Sequence, residues 1–520
     1  MNYGFLINNS KCIGCHACST ACKSENQVAL GVFRTWVKYT EVGNYPNVKR
    51  NFQVNRCNHC ANPPCVEICP VTAMHQREDG IVGYDSDLCI GCKSCMQACP
   101  YDSIHIDPVT KTAQKCHYCA HRVENGMEPS CVVVCPQHAI VAGDLDDPNS
   151  ELSKEIAKNA VTVRKPEQGT GPKLFYVDGH QAALTPMVTE GRSKHFIWGD
   201  VVSEKLTDAH IPEEPVLYFG QGEQMVQTTF NAQHKVPWHW QVPAYLTTKG
   251  IASGAFMLMA AFSIYGWGGA HHALGAASKL TAGFLAVVFS LLTTVFLVWD
   301  LDRPERFLRV ILRPQFKSWL VRGAFILIGF SNLVGLWWVV ELAASLGFIE
   351  ATPVWLEALA IYLGFPLAIG AAIYTAFLFG QAEGRDFWQS PLLPFHFLTQ
   401  AIMAGGAGLL VANQVVALDP AFASVAAHAF TLGLAVNLMM ILLGEFGMKH
   451  QTETASAAAH MITKGEFKNL FWGGAILLGN LVPFALALAG FSVPAALLAL
   501  VGLYIYEHVF VLAPQKVPNS

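Results

Sequence analysis

Residues 89–100 read CIGCKSCMQACP, which spaces four cysteines as C-x2-C-x2-C-x3-C and puts a proline after the last one. Three further groups have similar spacing, so the 16 cysteines of the chain form four sets between residues 12 and 135. In chain order, the groups are Cys12, Cys15, Cys18 and Cys22; Cys57, Cys60, Cys65 and Cys69; Cys89, Cys92, Cys95 and Cys99; and Cys116, Cys119, Cys131 and Cys135. A tight loop of this kind can bind three corners of a four-iron cube, and a fourth thiolate comes from elsewhere. The spacing therefore predicts iron–sulfur cubes.

Zinc and disulfide bonds are the alternative uses of these cysteines. Structural zinc prefers two C-x2-C pairs separated by a longer loop, which does not account for a third cysteine and a fourth one before proline. A disulfide framework is typical of small secreted domains, and cysteines three residues apart in one loop pair poorly. Gly14 and Gly91 lie inside their loops, where a residue without Cβ lets the backbone approach a cluster. The pattern favours clusters over both alternatives.

The second half of the chain is predicted to cross a membrane. From about residue 245 to residue 514 it contains no cysteine and is dominated by Ala, Leu, Val, Phe and Gly. Apolar runs of about 18 or more residues are typical of transmembrane helices. Eight such helices are predicted, at about residues 247–268, 278–299, 322–345, 354–379, 394–416, 424–446, 469–490 and 493–513. An even number puts the cysteine-rich domain and the C-terminal tail on the same side of the membrane.

Charge excludes one class of partner and indicates an orientation. The net charge of −4, without a basic stripe, gives no footprint for nucleic acid. Lys and Arg gather on the cysteine-rich side of the helices, with little besides Lys279 opposite, so the positive-inside rule predicts that this domain faces the cytoplasm from the inner membrane. The alternative is that these basic residues are a docking surface for an acidic cluster domain, which in several relatives faces the periplasm. These residues are Arg303, Arg306, Arg309, Arg313, Lys317, Arg322, Arg385, Lys449, Lys464, Lys468 and Lys516.

Export of the cysteine-rich domain would depend on a partner. The N-terminus, MNYGFLI, lacks the basic region and apolar run of a secretory signal. A folded partner with a twin-arginine signal could carry the chain across the membrane, so the N-terminus does not decide between the two sides.

Residues 1–140 resemble the iron–sulfur subunits of the membrane-bound molybdopterin oxidoreductases, the family of the dimethyl sulfoxide, polysulfide and nitrate reductase electron-transfer subunits. In that family, the first and fourth cysteine groups share one pair of clusters, and the second and third share the other. The resemblance implies four 4Fe–4S clusters. Their ligands would be Cys12, Cys15, Cys18 and Cys135; Cys116, Cys119, Cys131 and Cys22; Cys57, Cys60, Cys65 and Cys99; and Cys89, Cys92, Cys95 and Cys69.

Residues 236–520 resemble the eight-helix, quinone-binding anchor of polysulfide reductase and its NrfD-type relatives. The stretches that carry the resemblance are Trp238–Trp240, Asp300–Arg306, Ser318–Gly323 and Tyr506–Val509. Relatives usually have two separate subunits, whereas this chain joins them. The predicted fold is an α+β, ferredoxin-like tandem 4Fe–4S domain at residues 1–143 and an all-α, eight-helix transmembrane bundle at residues 239–520. The Pro- and Gly-punctuated residues 144–238 are predicted to be an extended arm and linker.

The resemblance places the quinone between the first and fourth helices, near the clusters. It implies binding by Tyr374 and by Tyr245, which stands where the relative has a histidine donor. Each candidate has a structural alternative, since Tyr374 could be a packed tyrosine, His239 an interfacial anchor between two tryptophans, and Asp300 an ion-pair partner of Arg303. The complete predicted quinone set is His239, Tyr245, Tyr374, Asp300, Arg303 and Arg322.

Intramembrane ionisable residues are the candidates for proton transfer, since they are costly to bury. Glu445 at the end of the sixth helix and His460 in the following loop are the predicted proton route, whereas Glu341 and Glu507 could reach the interface instead. Haem is not expected, because it would need facing histidines and histidines in the middle of the predicted helices are sparse. His428 is the clearest, His396 lies near a helix end, and His271 and His272 lie in a loop.

The sequence thus predicts an electron-transfer and membrane-anchor subunit with no catalytic site besides that for quinone. Electrons would pass through four 4Fe–4S clusters between a large catalytic partner, expected to carry molybdopterin, and menaquinone or ubiquinone in the lipid membrane. The alternatives are the anchor of a quinone-linked nickel–iron hydrogenase and a part of a redox-driven proton pump. Metal content and proton movement in liposomes distinguish the three.

Overall fold

The structure is a computed structural model that describes residues 1–43, 46–188, 226–232, 235–266 and 274–520. His271 and His272 of the predicted haem alternative, and residues 189–225 of the predicted arm, lie outside the described residues. The described chain has a cysteine-rich part made of small sheets and short helices, and a part made of long apolar helices.

A four-stranded sheet packs against the cysteine loops. Its central strand, Tyr3–Asn8, pairs antiparallel with Ile140–Asp144 and parallel with Leu174–Val177, which pairs in turn with Val161–Thr162. Apolar residues of the central strand, such as Phe5 and Ile7, are buried against the cysteine loops. Part of the predicted arm is therefore built into this sheet.

Two hairpins and a second sheet position the cysteine loops. The second sheet has the order Val226–Phe230, Thr35–Val42, Lys49–Arg56, and the hairpins are Met74–Gln76 with Val82–Tyr84 and Ile104–Ile106 with Ala113–Lys115. Short helices begin in or directly after the cysteine loops, and two more follow the last cysteine group. Their bounds are Ala17–Glu25, Pro64–Glu67, Ser94–Ala98, Ala120–Val123, Ser130–Val133, Glu151–Lys158 and Gln181–Leu184.

Among the described residues, eight helices are long and apolar enough to cross a membrane, as predicted. We number them as membrane helices 1 to 8: Gln241–Tyr265, Ala276–Trp299, Trp319–Ser345, Val354–Gln381, Leu393–Ala412, Pro420–Glu445, Leu470–Leu488 and Ser492–Lys516. Helix 6 ends in a π-helical segment, Met440–Glu445, and helix 7 begins with another, Leu470–Leu481. The predicted fold class is confirmed.

Membrane helices 1 and 5 form the centre of the bundle. Their apolar windows are 78% and 67% buried, against 28% for helix 3. Gly254 and Gly405 allow the two helices to touch, because a Cβ on Gly254 would overlap the carbonyl oxygen of Ala401, and a Cβ on Gly405 would overlap the backbone of Gly254. Small residues at helix crossings allow this close approach in membranes. The remaining helices surround this pair.

Candidate functional site

The first and third cysteine groups have the same loop conformation. Gly14 and Gly91 both have φ +69°, and the residues two positions later, His16 and Lys93, have φ 60° and 62°. These left-handed positions turn each loop around a common centre and lead into a short helix. The Gly91 N–H points at Cys89 Sγ, 3.4 Å away. Such N–H groups stabilise negative charge on cluster sulfurs.

Two cavities are each lined by cysteines from two different groups. Each combines three cysteines of one group with the last cysteine of another. The proximal cavity, next to the membrane helices, is lined by Cys69, Cys89, Cys92 and Cys95. The inner cavity is lined by Cys22, Cys116, Cys119 and Cys131.

The other eight cysteines fall into two similar neighbourhoods. The thiols of Cys57, Cys60 and Cys99 lie close enough to Cys65 to interact with it electrostatically. We call these four cysteines the middle set. Cys12 has Cys135 and Cys15 as neighbours, and Cys18 has Cys12 nearby. We call Cys12, Cys15, Cys18 and Cys135 the outer set, because Cys15 is exposed and both Cys12 and Cys135 are partly exposed.

The chemistry of these quartets fits iron–sulfur clusters. All 16 cysteines are free of disulfides. Among the described residues, no three His, Cys, Asp or Glu side chains form a group that could hold a single metal ion. Burial raises the pKa of Cys92 to about 12, with Cys69 adding to the effect. A thiolate at this depth needs compensating positive charge, which the iron of a cluster would supply.

Two buried cations lie beside the thiols. Arg56 Nη1 donates to Cys131 Sγ at 3.1 Å, and the same guanidinium lies 4.6 Å from the ring centre of Phe5. Lys115 Nζ is 3.5 Å from Cys57 Sγ. Both cations are almost completely buried. Positive charge and hydrogen bonds at cluster sulfurs raise the reduction potential, since they favour the more negative reduced state.

Replacing Arg56 by Met is expected to lower the reduction potential of the cluster in the inner cavity. A lost interaction of roughly 1.4 kcal/mol corresponds to about 60 mV for a one-electron couple. Potentiometric titration followed by electron paramagnetic resonance measures the shift. Arg50→Met is the matched control, because Arg50 lies on the same strand but is half-exposed and bound to Glu41. Equal reduction potentials in the two variants would contradict the claim that Arg56 raises the potential of the cluster in the inner cavity.

The third cysteine loop is bound directly to the membrane half. The Asp302 and Arg303 backbone N–H groups donate to the carbonyls of Gly91 and Ile90, at 3.2 and 3.3 Å. Lys93 Nζ forms a buried ion pair with Asp300 at 3.3 Å. The segment that follows membrane helix 2 therefore forms a floor under the proximal cavity.

Trp238 joins the proximal cavity to the first and last membrane helices. Its indole N–H donates to the carbonyl of Cys92 at 3.1 Å, and its backbone N–H donates to Gln515 Oε1 at 2.9 Å. Gln515 also accepts from Gln97 at 2.6 Å, and Arg385 donates to Gln97 at 3.0 Å. These hydrogen bonds fix the proximal cavity at the membrane surface.

The predicted quinone residues divide into two locations. Tyr245 and Tyr374 are each 4% exposed inside the bundle, and their hydroxyl groups lie close enough to interact electrostatically. Beside them lies Lys249, which the sequence analysis missed. Its Nζ donates to Thr375 and lies 4.8 Å from the ring centre of Tyr374. A lysine within the predicted span 247–268 was the signal that would have found it.

The other predicted quinone residues lie at the surface where the two halves meet. His239 lies before helix 1 with its side chain largely exposed. The partial burial of its imidazole, together with Lys93, lowers the pKa of that ring. Burial raises the pKa of the Asp300 carboxyl to about 6, against the opposing effect of Lys93. Arg303 pairs with Glu305 at 3.2 Å and not with Asp300, and Arg322 lies over the Trp319 ring at 4.9 Å.

A second buried polar cluster contains Glu445. Its carboxylate contacts His396 Nδ1 at 2.7 Å and accepts from the Tyr506 hydroxyl. His460, the other predicted proton-route residue, is exposed on the short helix Glu453–Thr463. His428 is exposed, with Nδ1 2.7 Å from the Ser424 carbonyl oxygen. The structure thus brings Glu445 together with His396, a residue that the sequence analysis considered only for haem.

Comparison with known families covers both halves of the chain. The model of the polysulphide reductase family NrfD matches residues 228–517. A 4Fe–4S dicluster domain matches residues 48–145, and a 4Fe–4S binding domain matches residues 9–29. The two iron–sulfur matches lie in the part that carries the cysteine groups, and the NrfD match covers all eight membrane helices.

Three individual relatives are subunits of reductases. The B subunit of tetrathionate reductase from Salmonella typhimurium is 44% identical over 203 residues, which is 38% of this chain and 80% of the relative. The B subunit of polysulfide reductase from Wolinella succinogenes is 41% identical over 185 residues, 35% of this chain and 97% of the relative. The iron–sulfur subunit of arsenate respiratory reductase from a Shewanella species is 35% identical over 225 residues, 34% of this chain and 96% of the relative. The protein belongs to the polysulphide reductase NrfD family, with a 4Fe–4S domain like those of reductase iron–sulfur subunits fused before the membrane domain.

Proposed function

We propose that this chain passes electrons through four 4Fe–4S clusters between a catalytic partner subunit and a quinone in the inner membrane. The observation that carries the proposal is the position of the proximal cavity. Its cysteine loop is hydrogen-bonded to the segment after membrane helix 2 and to Trp238 before helix 1. A cluster held there would lie next to the helices that carry Tyr245 and Tyr374.

The order of the four cysteine sets defines an electron path. The proximal set and most of the middle set share one hydrophobic core with the ends of the membrane helices. Cysteines of the inner and outer sets lie in a separate core around Phe5 and Tyr118, which Cys57 of the middle set also joins. The outer set is the most exposed. Electrons would therefore move between the outer set and the proximal set, through the inner and middle sets.

The catalytic partner would bind at the outer set. Apolar side chains are exposed around it, including Ile13 at 55% and Val133 at 55%. Exposed apolar patches next to a redox centre are suited to binding another subunit. The relatives named above belong to reductases of tetrathionate, polysulfide and arsenate, and on the stated resemblance we propose a large subunit that carries molybdopterin.

Tyr245, Tyr374 and Lys249 provide the donors that a quinone headgroup needs. The two hydroxyls and the ammonium can donate to the carbonyl oxygens of menaquinone or ubiquinone, and the surrounding helices supply apolar surface for its tail. Each quinone that is reduced takes two electrons and two protons. The membrane half must therefore supply protons as well as a path for electrons.

Iron analysis and quinone reduction test the proposal together. Anaerobically purified protein is expected to contain about sixteen irons, the number for four 4Fe–4S clusters. In liposomes that contain menaquinone, dithionite-reduced clusters are expected to be re-oxidised, which restores their visible absorbance, while liposomes without quinone show no change. An iron content near zero, or re-oxidation that does not depend on quinone, would contradict the proposal. In the copurified complex, molybdenum supports the assigned partner and nickel contradicts it.

A further inference from the structure

The two halves of the membrane bundle repeat a sequence pattern. Residues 242–258 of helix 1 read VPAYLTTKGIASGAFML, and residues 393–409 of helix 5 read LPFHFLTQAIMAGGAGL. At the same spacing, the two segments share a proline, a threonine, an isoleucine, a glycine and a leucine. This register places Tyr245 opposite His396, Lys249 opposite Gln400, and Gly254 opposite Gly405.

Helices 4 and 8 repeat in the same way. Residues 370–375 of helix 4 read GAAIYT, and residues 502–507 of helix 8 read GLYIYE. This register places Tyr374 opposite Tyr506 and Thr375 opposite Glu507. The four helices that line the proposed quinone site and the Glu445 cluster are thus two copies of one helix pair.

The contact between the copies is itself symmetric. Gly254 meets Gly405, its own counterpart, where helices 1 and 5 cross. Gly250 approaches Ala401, again its counterpart, at 3.7 Å from the position of an added Cβ. An interface in which equivalent residues meet each other is the mark of a twofold relation. Helices 1 and 4 are therefore related to helices 5 and 8 by an approximate twofold axis at this crossing.

Equivalent positions make equivalent contacts in the two copies. In the first, Lys249 of helix 1 contacts Tyr374 and donates to Thr375 of helix 4. In the second, the His396 and Tyr506 rings lie 5.4 Å apart, and Gln400 lies beside Glu507. In the second copy, the position equivalent to the proposed quinone site is therefore occupied by acidic side chains of the protein itself.

Hydrogen bonds fix the proton arrangement of this second copy. The Ala475 carbonyl can only accept, so the Asn480 amide group donates to it, and Asn480 Oδ1 then accepts from Asn437. Asn437 Oδ1 consequently faces His396 Nε2 at 2.8 Å and accepts the hydrogen of that nitrogen. The Gln400 amide nitrogen is farther from the same atom, at 3.3 Å, and donates to Glu507 instead. One further proton is then shared between His396 Nδ1 and Glu445, 2.7 Å apart.

Glu507 lies between this cluster and the proposed quinone site. It is 1% exposed, and its Oε2 makes no hydrogen bond. Lys249 and His396 are both among its electrostatic neighbours. At the other end of the cluster, half-buried His450 follows helix 6 and lies within electrostatic reach of Glu445. The ionisable groups thus extend from the cluster-side surface to the site between helices 1 and 4.

We propose that the second half of the bundle supplies protons to the quinone bound in the first half, with Glu507 as the group that transfers them. The proposal rests on the quinone function proposed above. As electrons reach the quinone, the Lys249 ammonium gives a proton to a carbonyl oxygen and becomes an amine. The carboxyl group of Glu507 reprotonates that amine and becomes a carboxylate. The proton shared by His396 and Glu445 then restores Glu507, and a proton taken up from bulk solvent through His450 refills the pair. The sequence runs twice for each quinone that is reduced.

The test is the rate at which reduced clusters are re-oxidised by menaquinone in liposomes that contain the full chain. Glu507→Gln is expected to slow this rate roughly 100-fold, the size of a lost general acid. Its solvent deuterium isotope effect should rise, since proton transfer becomes limiting. Glu507→Asp, which retains the carboxyl group, should recover most of the rate. Iron content and visible absorbance are expected to match those of the unchanged protein.

Glu341→Gln is the matched control. Glu341 is also buried in a membrane helix, but it lies near the opposite end of helix 3 and binds Thr352. It should leave rate and isotope effect unchanged. A Glu507→Gln variant with full clusters, a normal rate and a normal isotope effect would overturn the proposal. If that variant lost its clusters, Glu445→Gln would decide by the same criteria. If the unchanged protein itself failed to reduce menaquinone, the proposed quinone function would fail instead.

Discussion

The substitution Cys69→Ser is expected to remove about four of sixteen irons from the protein and to stop the re-oxidation of its remaining clusters by menaquinone. Cys69 belongs to the second cysteine group by sequence, but the structure places it in the proximal cavity with the third group. Its loss would therefore destroy the cluster closest to the membrane helices. Without that cluster, electrons would have to pass to the quinone from the middle set, which lies farther from the segment after membrane helix 2.

Cys65→Ser is the matched control, because Cys65 is the preceding cysteine of the same sequence group but has the middle set as its neighbours. It should also cost about four irons, yet quinone should still re-oxidise the proximal cluster. The double variant Cys65→Ser with Cys69→Ser separates the two possible arrangements. Crossed ligation predicts the loss of about eight irons, whereas a cluster built from one sequence group predicts about four.

Local patterns explain why the domain types were predictable. The cysteine spacing is a property of single loops, and Gly91 adopts in the structure the positive φ that the close approach requires. The length of an apolar run is likewise a property of one helix alone, so the eight apolar runs predicted the eight spans. Both signals are contained in a few neighbouring residues, and both were confirmed.

Contacts between distant helices were not predictable in the same way. The pairs Lys249 with Thr375 and His396 with Glu445 depend on how each helix is rotated in the bundle, and no short stretch of sequence encodes that rotation. Lysine in one predicted span and histidine in another were visible only as separate residues. The sequence analysis therefore identified Glu445 but assigned it His460 instead of His396 as a partner.

The basic residues near the cysteine-rich side have a second explanation in the structure. Arg306 donates to the carbonyl of Cys89 at 2.9 Å, and Arg385 donates to Gln97 at 3.0 Å. These arginines bind the cluster domain, as the docking alternative predicted. The positive-inside rule counts every such charge as a topological signal, so the orientation in the membrane stays a prediction.

The ion pair between Lys93 and Asp300 provides the second large expected effect. Both side chains are about one-tenth exposed, and they join the third cysteine loop to the end of membrane helix 2. Breaking a buried ion pair by removing one partner typically costs about 3 to 5 kcal/mol. For Asp300→Leu we expect the lower end of this range, because Lys93 keeps a longer contact with Asp302 at 3.9 Å. Asp300→Leu and Lys93→Met are each expected to lower the thermal midpoint of cluster loss by several degrees, measured by visible absorbance, and to slow re-oxidation by menaquinone.

Together, the two substitutions are expected to restore both properties, because apolar side chains of similar volume can replace a buried ion pair with little loss of stability. The double variant also separates the two roles that Asp300 can have. If Asp300 joins the two halves of the chain, as its contact with Lys93 indicates, the double variant regains thermal stability and quinone reduction together. If Asp300 instead handles a proton of the quinone, stability returns while quinone reduction stays slow, since leucine cannot bind a proton. Recovery of both therefore assigns Asp300 to docking, and recovery of stability alone contradicts that assignment.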